Sequence, residues 1–144
     1  MEREVKRNFG KADCLFMASA VSDWRPRKAV RGKIKKGPAA VSLRLVKNPD
    51  ILSGVAKKKG GKIVAGFALE SKGVVENAKD KLRRKNLDIV VANRVGGRTP
   101  FGSGRTDVTI LDRNGGSETI KNAAKEKIAR RLISAAERLW EEKG

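Results

Sequence analysis

Histidine and tyrosine are absent from this sequence, and cysteine occurs once in its 144 residues. Without histidine there is no imidazole base, no His-based triad and no imidazole metal ligand. The lone Cys14 excludes an intrachain disulfide and a cysteine-rich zinc site. It lies in the apolar run Cys14-Leu15-Phe16-Met17-Ala18, the setting of a buried structural thiol rather than a nucleophile. Aromatic residues are also few, two Trp and four Phe. That argues against a single-strand nucleic-acid platform, where stacking rings alternate with cations. No apolar run approaches the ~18 residues of a membrane span. The opening Met1-Glu2-Arg3-Glu4-Val5-Lys6-Arg7 is charged and lacks an apolar signal core, so the chain reads as cytoplasmic. Chemistry falls to Lys, Arg, Asp, Asn and backbone amides, with or without a metal.

Acidic residues are in deficit. Sixteen Asp and Glu face 34 Lys and Arg, a net charge of +18. Such a field attracts polyanions: nucleic acid, phosphorylated small molecules or acidic protein surfaces. Charge alone does not choose among them. The length and the 39% hydrophobic content suit one globular domain over residues 1–144. Neither an internal repeat nor a linker interrupts it.

The pattern along the chain alternates strands and helices. Residues 1–10 read as the tail of a helix ended by Gly10. Residues 13–20 are a short apolar run, the pattern of a strand covered on both faces. Residues 21–40, with Pro26, Gly32, Gly37, Pro38 and repeated Lys and Arg, read as a mobile basic loop. Val41, Leu43 and Leu45 alternate with polar residues as a strand does. In Asn48-Pro49-Asp50, a capping Asn, a first-turn Pro and an acid suited to the dipole open a helix that ends at Lys57-Lys58-Lys59-Gly60-Gly61. A strand over 62–69, a helix over 74–86, a strand over 88–92 and a glycine-rich loop over 94–104 follow. Asn114-Gly115 joins strands 107–111 and 118–120 as a hairpin. The last helix lines Ala124, Ile128, Leu132, Ala135 and Leu139 on one stripe. These elements predict an α/β, three-layer Rossmann-like sandwich with a largely parallel sheet and an antiparallel edge hairpin.

Standard phosphate motifs fail. The Walker-like stretch 56–63 has Ala56 in place of its first Gly and Ile63 where Ser or Thr binds magnesium. Gly102-Ser103-Gly104 opens like a dinucleotide fingerprint, but Asp107 takes the third glycine position and a strand follows. Open α/β sheets nevertheless place ligands beyond the carboxyl ends of their strands. Four segments are expected there: 18–23, 48–52, 66–70 and Asn93. The helix start at 48–52 offers free amides to an anion. Lys33, Lys35 and Lys36 either close over phosphates or form a solvated basic loop. Asp23 is either a ligand contact or a turn residue, and Phe67 is either a pocket wall or core.

Taken in order, Ala18-Ser19-Ala20-Val21-Ser22-Asp23-Trp24-Arg25-Pro26, Lys33-Ile34-Lys35-Lys36, Asn48-Pro49-Asp50-Ile51-Leu52, Gly66-Phe67-Ala68 and the stretch from Lys81 to Val91-Ala92-Asn93 resemble the phosphopantothenate–cysteine ligase family. The likeness runs from Asp13 to the end of the chain. It implies a two-step, CTP-dependent ligation of 4'-phosphopantothenate to cysteine through an acyl-cytidylate, with Mg2+ assisting. By motif it implies that Met17, Ala18, Ser19 and Asp23 line the nucleotide site and that Pro49, Asp50, Ile51 and Leu52 set a helix start against it. It implies that Phe67 borders the base, that Lys81 and Lys85 reach the triphosphate, and that Lys33 acts as the catalytic loop lysine. Metal ligands are not identified. Ser19, Ser22, Trp24 and Ser71 depart from the family's usual residues. Nothing before Asp13 matches the family's first strand and glycine-rich turn, so an incomplete ligase is expected, completed by an upstream segment. An upstream FMN-dependent decarboxylase is the usual fusion partner, and a homodimer the usual assembly. The competing reading is a basic nucleic-acid-binding α/β module. On the leading reading no specific nucleic acid and no membrane is a partner.

Overall fold

The computed structural model describes residues 1–29, 31, 32, 37, 41–94 and 104–143. The chain divides into two compact units, Met1–Ala18 with Ile51–Gly144, and Ser19–Asp50.

The larger unit holds helices α1 (Glu2–Phe9), α2 (Ile51–Ala56), α3 (Val74–Arg84) and α4 (Lys125–Glu141). Its strands are β1 (Cys14–Met17), β4 (Ile63–Glu70), β5 (Ile89–Arg94), β6 (Arg105–Asp112) and β7 (Ser117–Ala124). The five strands lie in the order β1-β4-β5-β6-β7. β1, β4 and β5 are parallel, and β6 and β7 add antiparallel at one side. The smaller unit is a two-stranded antiparallel sheet of β2 (Trp24–Pro26) and β3 (Leu45–Lys47).

The three layers follow from the period of two along β4. Val64 and Ala68 pack on one face with Phe9, Leu52, Val55, Ala78 and Leu82 of α1, α2 and α3. Ile63 and Ala65 pack on the other with Ile128, Leu132, Ala135 and Leu139 of α4, the stripe expected from sequence. At Gly66 a side chain has no room: a Cβ would stand 2.8 Å from a Leu52 methyl and 3.0 Å from one of Leu87. Glycine lets α2 and the loop before β5 close onto the sheet.

Local chemistry explains the element ends. α3 stops at Arg84, earlier than expected, because Asn86 turns left-handed at φ 53°. The Leu87 N–H then bonds the Leu82 carbonyl at 2.9 Å and the Asn86 N–H bonds Arg83 at 3.1 Å. That is a Schellman ending, with Leu82 and Leu87 in one cluster behind it. The Asn114-Gly115 hairpin is present, with Gly115 at φ 92°. Asp112 Oδ1 accepts from the Asn114 and Gly116 amides at 3.0 and 2.8 Å, and Arg138 of α4 grips its other oxygen at 2.7 Å.

Four expectations change. Among the described residues β1 is an edge strand, and its apolar run is not covered on both faces: Phe16 is 39% exposed and Cys14 only half-buried. The segment read wholly as loop contains β2, whose ladder partner lies some twenty residues away and leaves no local signature. The expected strand from Val41 begins only at Leu45. The helix expected from Asn48 begins at Ile51 and spans six residues, so Asn48 stands outside it and Pro49 is not its first residue.

Candidate functional site

In the larger unit, the carboxyl ends of the parallel strands bring several predicted residues to one end of the sheet. Met17 closes β1, buried toward α2 and pairing with Gly66, and the exposed Ala18 follows, its N–H on the Phe16 carbonyl at 3.2 Å. Ile51 and Leu52 open α2 with their side chains in the core. Lys81 projects from α3 and donates to the Phe67 carbonyl at 2.6 Å. The cation therefore meets the main chain of Phe67. The Phe67 ring itself is half-buried and packs with the α4-side core. Lys85 follows at the end of α3, four residues on and so on the same stripe as Lys81, with its N–H on the Lys81 carbonyl.

Beyond β4 the chain turns through Gly73, left-handed at φ 57°. Asn77 pins that turn, donating to Glu70 and to the Lys72 carbonyl, both at 3.0 Å. At the end of β5, Asn93 Oδ1 is buried and has no partner among the described residues. A buried amide oxygen without a donor is costly, which makes this position receptive to an N–H or O–H from elsewhere.

In the smaller unit, the motif segments around Asp23 and Asn48 are joined. The Asn48 N–H bonds the Asp23 carbonyl at 2.7 Å, and its side-chain amide donates to the Ser22 carbonyl at 2.7 Å. Its Oδ1 accepts from Arg25 at 2.7 Å. Asn48, read from sequence as a helix cap, is a clasp. It sets Asp23 beside Pro49 and Asp50, and these three are exposed, as is Ser19. Lys33, with Lys35 and Lys36, lies outside the described residues, as does most of the glycine-rich loop.

Sequence reasoning missed a buried ion cluster at the other end of the sheet. Asp88 is fully buried, and Lys59 and the Val64 N–H donate to its Oδ2, both at 2.9 Å. Arg113 and Lys143 donate to Oδ1, both at 3.1 Å. Of the triple lysine 57–59, read as the basic end of a helix, Lys59 alone turns inward. Burial and then the Asp13 charge push the Cys14 thiol up, away from the thiolate. Among the described residues no three His, Cys, Asp or Glu gather as a metal cage, and no helix is long and apolar enough to cross a membrane.

Three parallel strands extended by an antiparallel hairpin, with helices on both faces, make this a Rossmann-like α/β protein with its candidate site at the strands' carboxyl ends. Residues 1–139 match the DFP family, the DNA/pantothenate metabolism flavoprotein C-terminal domain, and the chain belongs to that family. The coenzyme A biosynthesis bifunctional protein CoaBC of Haemophilus influenzae is 41% identical over 98 residues, 67% of this chain and 24% of that protein. The CoaBC of Borreliella burgdorferi is 33% identical over 136 residues, 92% of this chain and 34% of that one. The chain thus spans a quarter to a third of these relatives. The crystal structure of a CoaBC C-terminal domain superposes with a TM-score of 0.78 at 25% identity, covering 98% of this chain and 61% of that domain.

Proposed function

We propose that this chain is the nucleotide-handling part of a CTP-dependent ligase joining 4'-phosphopantothenate to cysteine in coenzyme A biosynthesis. Membership of the DFP family and the names of the relatives support this reading. The observation that carries it is the Asn48 clasp: it unites two motif segments 26 residues apart, setting Asp23 beside Pro49 and Asp50.

In the reaction the substrate carboxylate attacks the α-phosphorus of CTP and pyrophosphate leaves. The cysteine amine then attacks the acyl carbon of the acyl-cytidylate and CMP leaves. Both steps need positioned positive charge more than a covalent nucleophile, which a chain without histidine supplies through lysines. Lys33 stabilises the charge on the phosphates during transfer, and Lys81 and Lys85 hold the triphosphate. Met17, Ala18, Ser19, Asp23 and residues 49–52 line the nucleotide, and Phe67 borders the base. Magnesium, if bound with the triphosphate, would offset phosphate charge that Lys33, Lys81 and Lys85 also face. A homodimer and an upstream decarboxylase belong to the same proposal.

Calorimetry at physiological salt tests it. Saturable, magnesium-dependent CTP binding is expected. In the protein carrying its upstream ligase segment, Lys33→Gln lowers acyl-cytidylate formation about 100-fold or more, while Lys28→Gln changes it only a few-fold. Tight nucleic-acid binding without CTP heat overturns the reading in favour of a basic nucleic-acid module.

A further inference from the structure

β5 ends in a side chain that the fold leaves unused. Side chains alternate along a strand, and Ile89 and Val91 pack on the α4 side of the sheet, so Asn93 lies on that side as well. Its ladder neighbours are Leu69 of β4 and Val108 of β6. Phe67 stands opposite Val91, one repeat back toward the start of β5, and shares the same face. Valine, leucine and phenylalanine carry no side-chain donor. Asn93 Oδ1 is buried at this place with no partner among the described residues. An apolar side chain would spare the fold that cost, so packing gives no reason for an amide here.

The surroundings determine what would satisfy it. An amide oxygen only accepts, so a phosphate or carboxylate oxygen brought against it is repelled. A charged ammonium would have to be buried against Leu69, Val108 and Phe67, at a large desolvation cost. What fits is a neutral N–H on a flat, mostly apolar group. Leu69, 46% exposed, and the half-buried Phe67 ring offer such a group a contact surface. One polar atom among apolar walls is the ordinary composition of a small-molecule site. Lys81 and Lys85 belong to α3, which packs on the opposite face. The charged part of a nucleotide is thereby drawn to one side of the sheet's end, and its base is left to the other.

We propose that Asn93 reads the base of the nucleotide: its Oδ1 accepts a hydrogen bond from the exocyclic amine of cytosine, while Leu69 and Phe67 lie against the ring. The inference rests on the ligase reading and deepens it, by naming the group of the base that the site recognises. In the free protein the acceptor is buried and unpaired, so a bound amine gains a bond without displacing one the fold already has. A base lacking the amine leaves the oxygen unpaired, and a site built to hydrogen-bond a group discriminates strongly against ligands without it. Asn93 is a specificity residue, since no bond is made or broken at this end of the nucleotide.

Calorimetric titration in the presence of magnesium compares CTP with its pyrimidin-2-one analogue, which is CTP without the exocyclic amine. The 144-residue chain is expected to bind CTP at least about tenfold more tightly than the analogue. Asn93→Ala is expected to remove that difference, weakening CTP to the affinity of the analogue and leaving the analogue where it was. The urea midpoint of unliganded Asn93→Ala is expected to be no lower than the parent's, because the fold loses no bond. Equal affinities in the parent overturn the proposal. Equal weakening of both nucleotides by Asn93→Ala, or a clear fall in its urea midpoint, overturns it too, because Asn93 would then serve the fold. No CTP heat in the parent overturns the ligase reading and this inference with it. CTP binding that is indifferent to Asn93→Ala overturns this inference alone.

Discussion

At the scale of single residues, the Gly66-Phe67-Ala68 motif divides its labour. Phe67 offers a carbonyl to Lys81, while Gly66 offers absence of bulk to Leu52 and Leu87. Gly66→Ala adds one carbon to a filled space, so either leucine leaves its preferred rotamer or α2 moves outward. Overpacking of this kind costs about 1–3 kcal/mol. Urea unfolding of the purified variant is expected to show that loss. Unchanged stability would mean that the leucine methyls yield freely. Lys81 shows the limit of motif reading: its place on α3 is plain from the sequence, but its contact with β4 requires the helix to lie on the sheet.

At the scale of elements, the Asp88 cluster binds the end of α4, the turn before β4 and the start of β5. Lys143 brings the tail of α4 to Asp88 and to the carbonyls of Gly61 and Lys62. Burial alone would raise the Asp88 carboxyl. The bonds from Lys59, the Val64 amide and Lys143 outweigh it and hold the pKa below the ordinary 3.8. Because the folded value is the lower one, the unfolded chain binds the proton first as pH falls. The cluster's contribution is therefore complete above about pH 4 and disappears as pH drops through the folded value. Burial opposes this at Lys59, pushing its ammonium down from 10.5. Asp88→Asn leaves the buried Lys59 without its counter-charge and is expected to cost about 3–5 kcal/mol at pH 7. Urea midpoints at pH 7, 4 and 2.5 check both points: the parent loses stability in acid, and the variant loses less because its deficit is already present. Parallel pH profiles would show that Asp88 does not govern acid unfolding.

For the whole molecule, the charge of +18 governs encounter more than fold. Any duplex DNA bound through that field alone releases counterions, and its affinity falls with salt by a slope close to the number of phosphates neutralised. Fluorescence anisotropy between 50 and 200 mM salt is expected to show a loss of about 10³-fold or more for DNA of unrelated sequences alike, if six or more phosphates are engaged. A salt-resistant preference for one sequence would instead reveal base contacts and favour the nucleic-acid reading. The same field attracts a nucleotide triphosphate, so affinity without its salt dependence does not distinguish the two.

Near-neighbour chemistry determined much of this protein from the sequence alone. The α4 stripe, the strand over 62–69, the Asn114-Gly115 hairpin and the α/β order all rest on residues two to four apart or on one turn's backbone needs. The order of the motifs was legible for the same reason. Tertiary structure decided whatever joins residues tens of positions apart. It made Asn48 a clasp on Ser22 and Asp23 instead of a cap, and it paired β2 with a strand that shows no local pattern. It selected Lys59 from three adjacent lysines and gathered it with Arg113 and Lys143 around one carboxylate. It also placed β1 at an edge, leaving Phe16 exposed in a run that reads as fully covered. Burial depends on which neighbour lies alongside, and no periodicity within the strand itself encodes that.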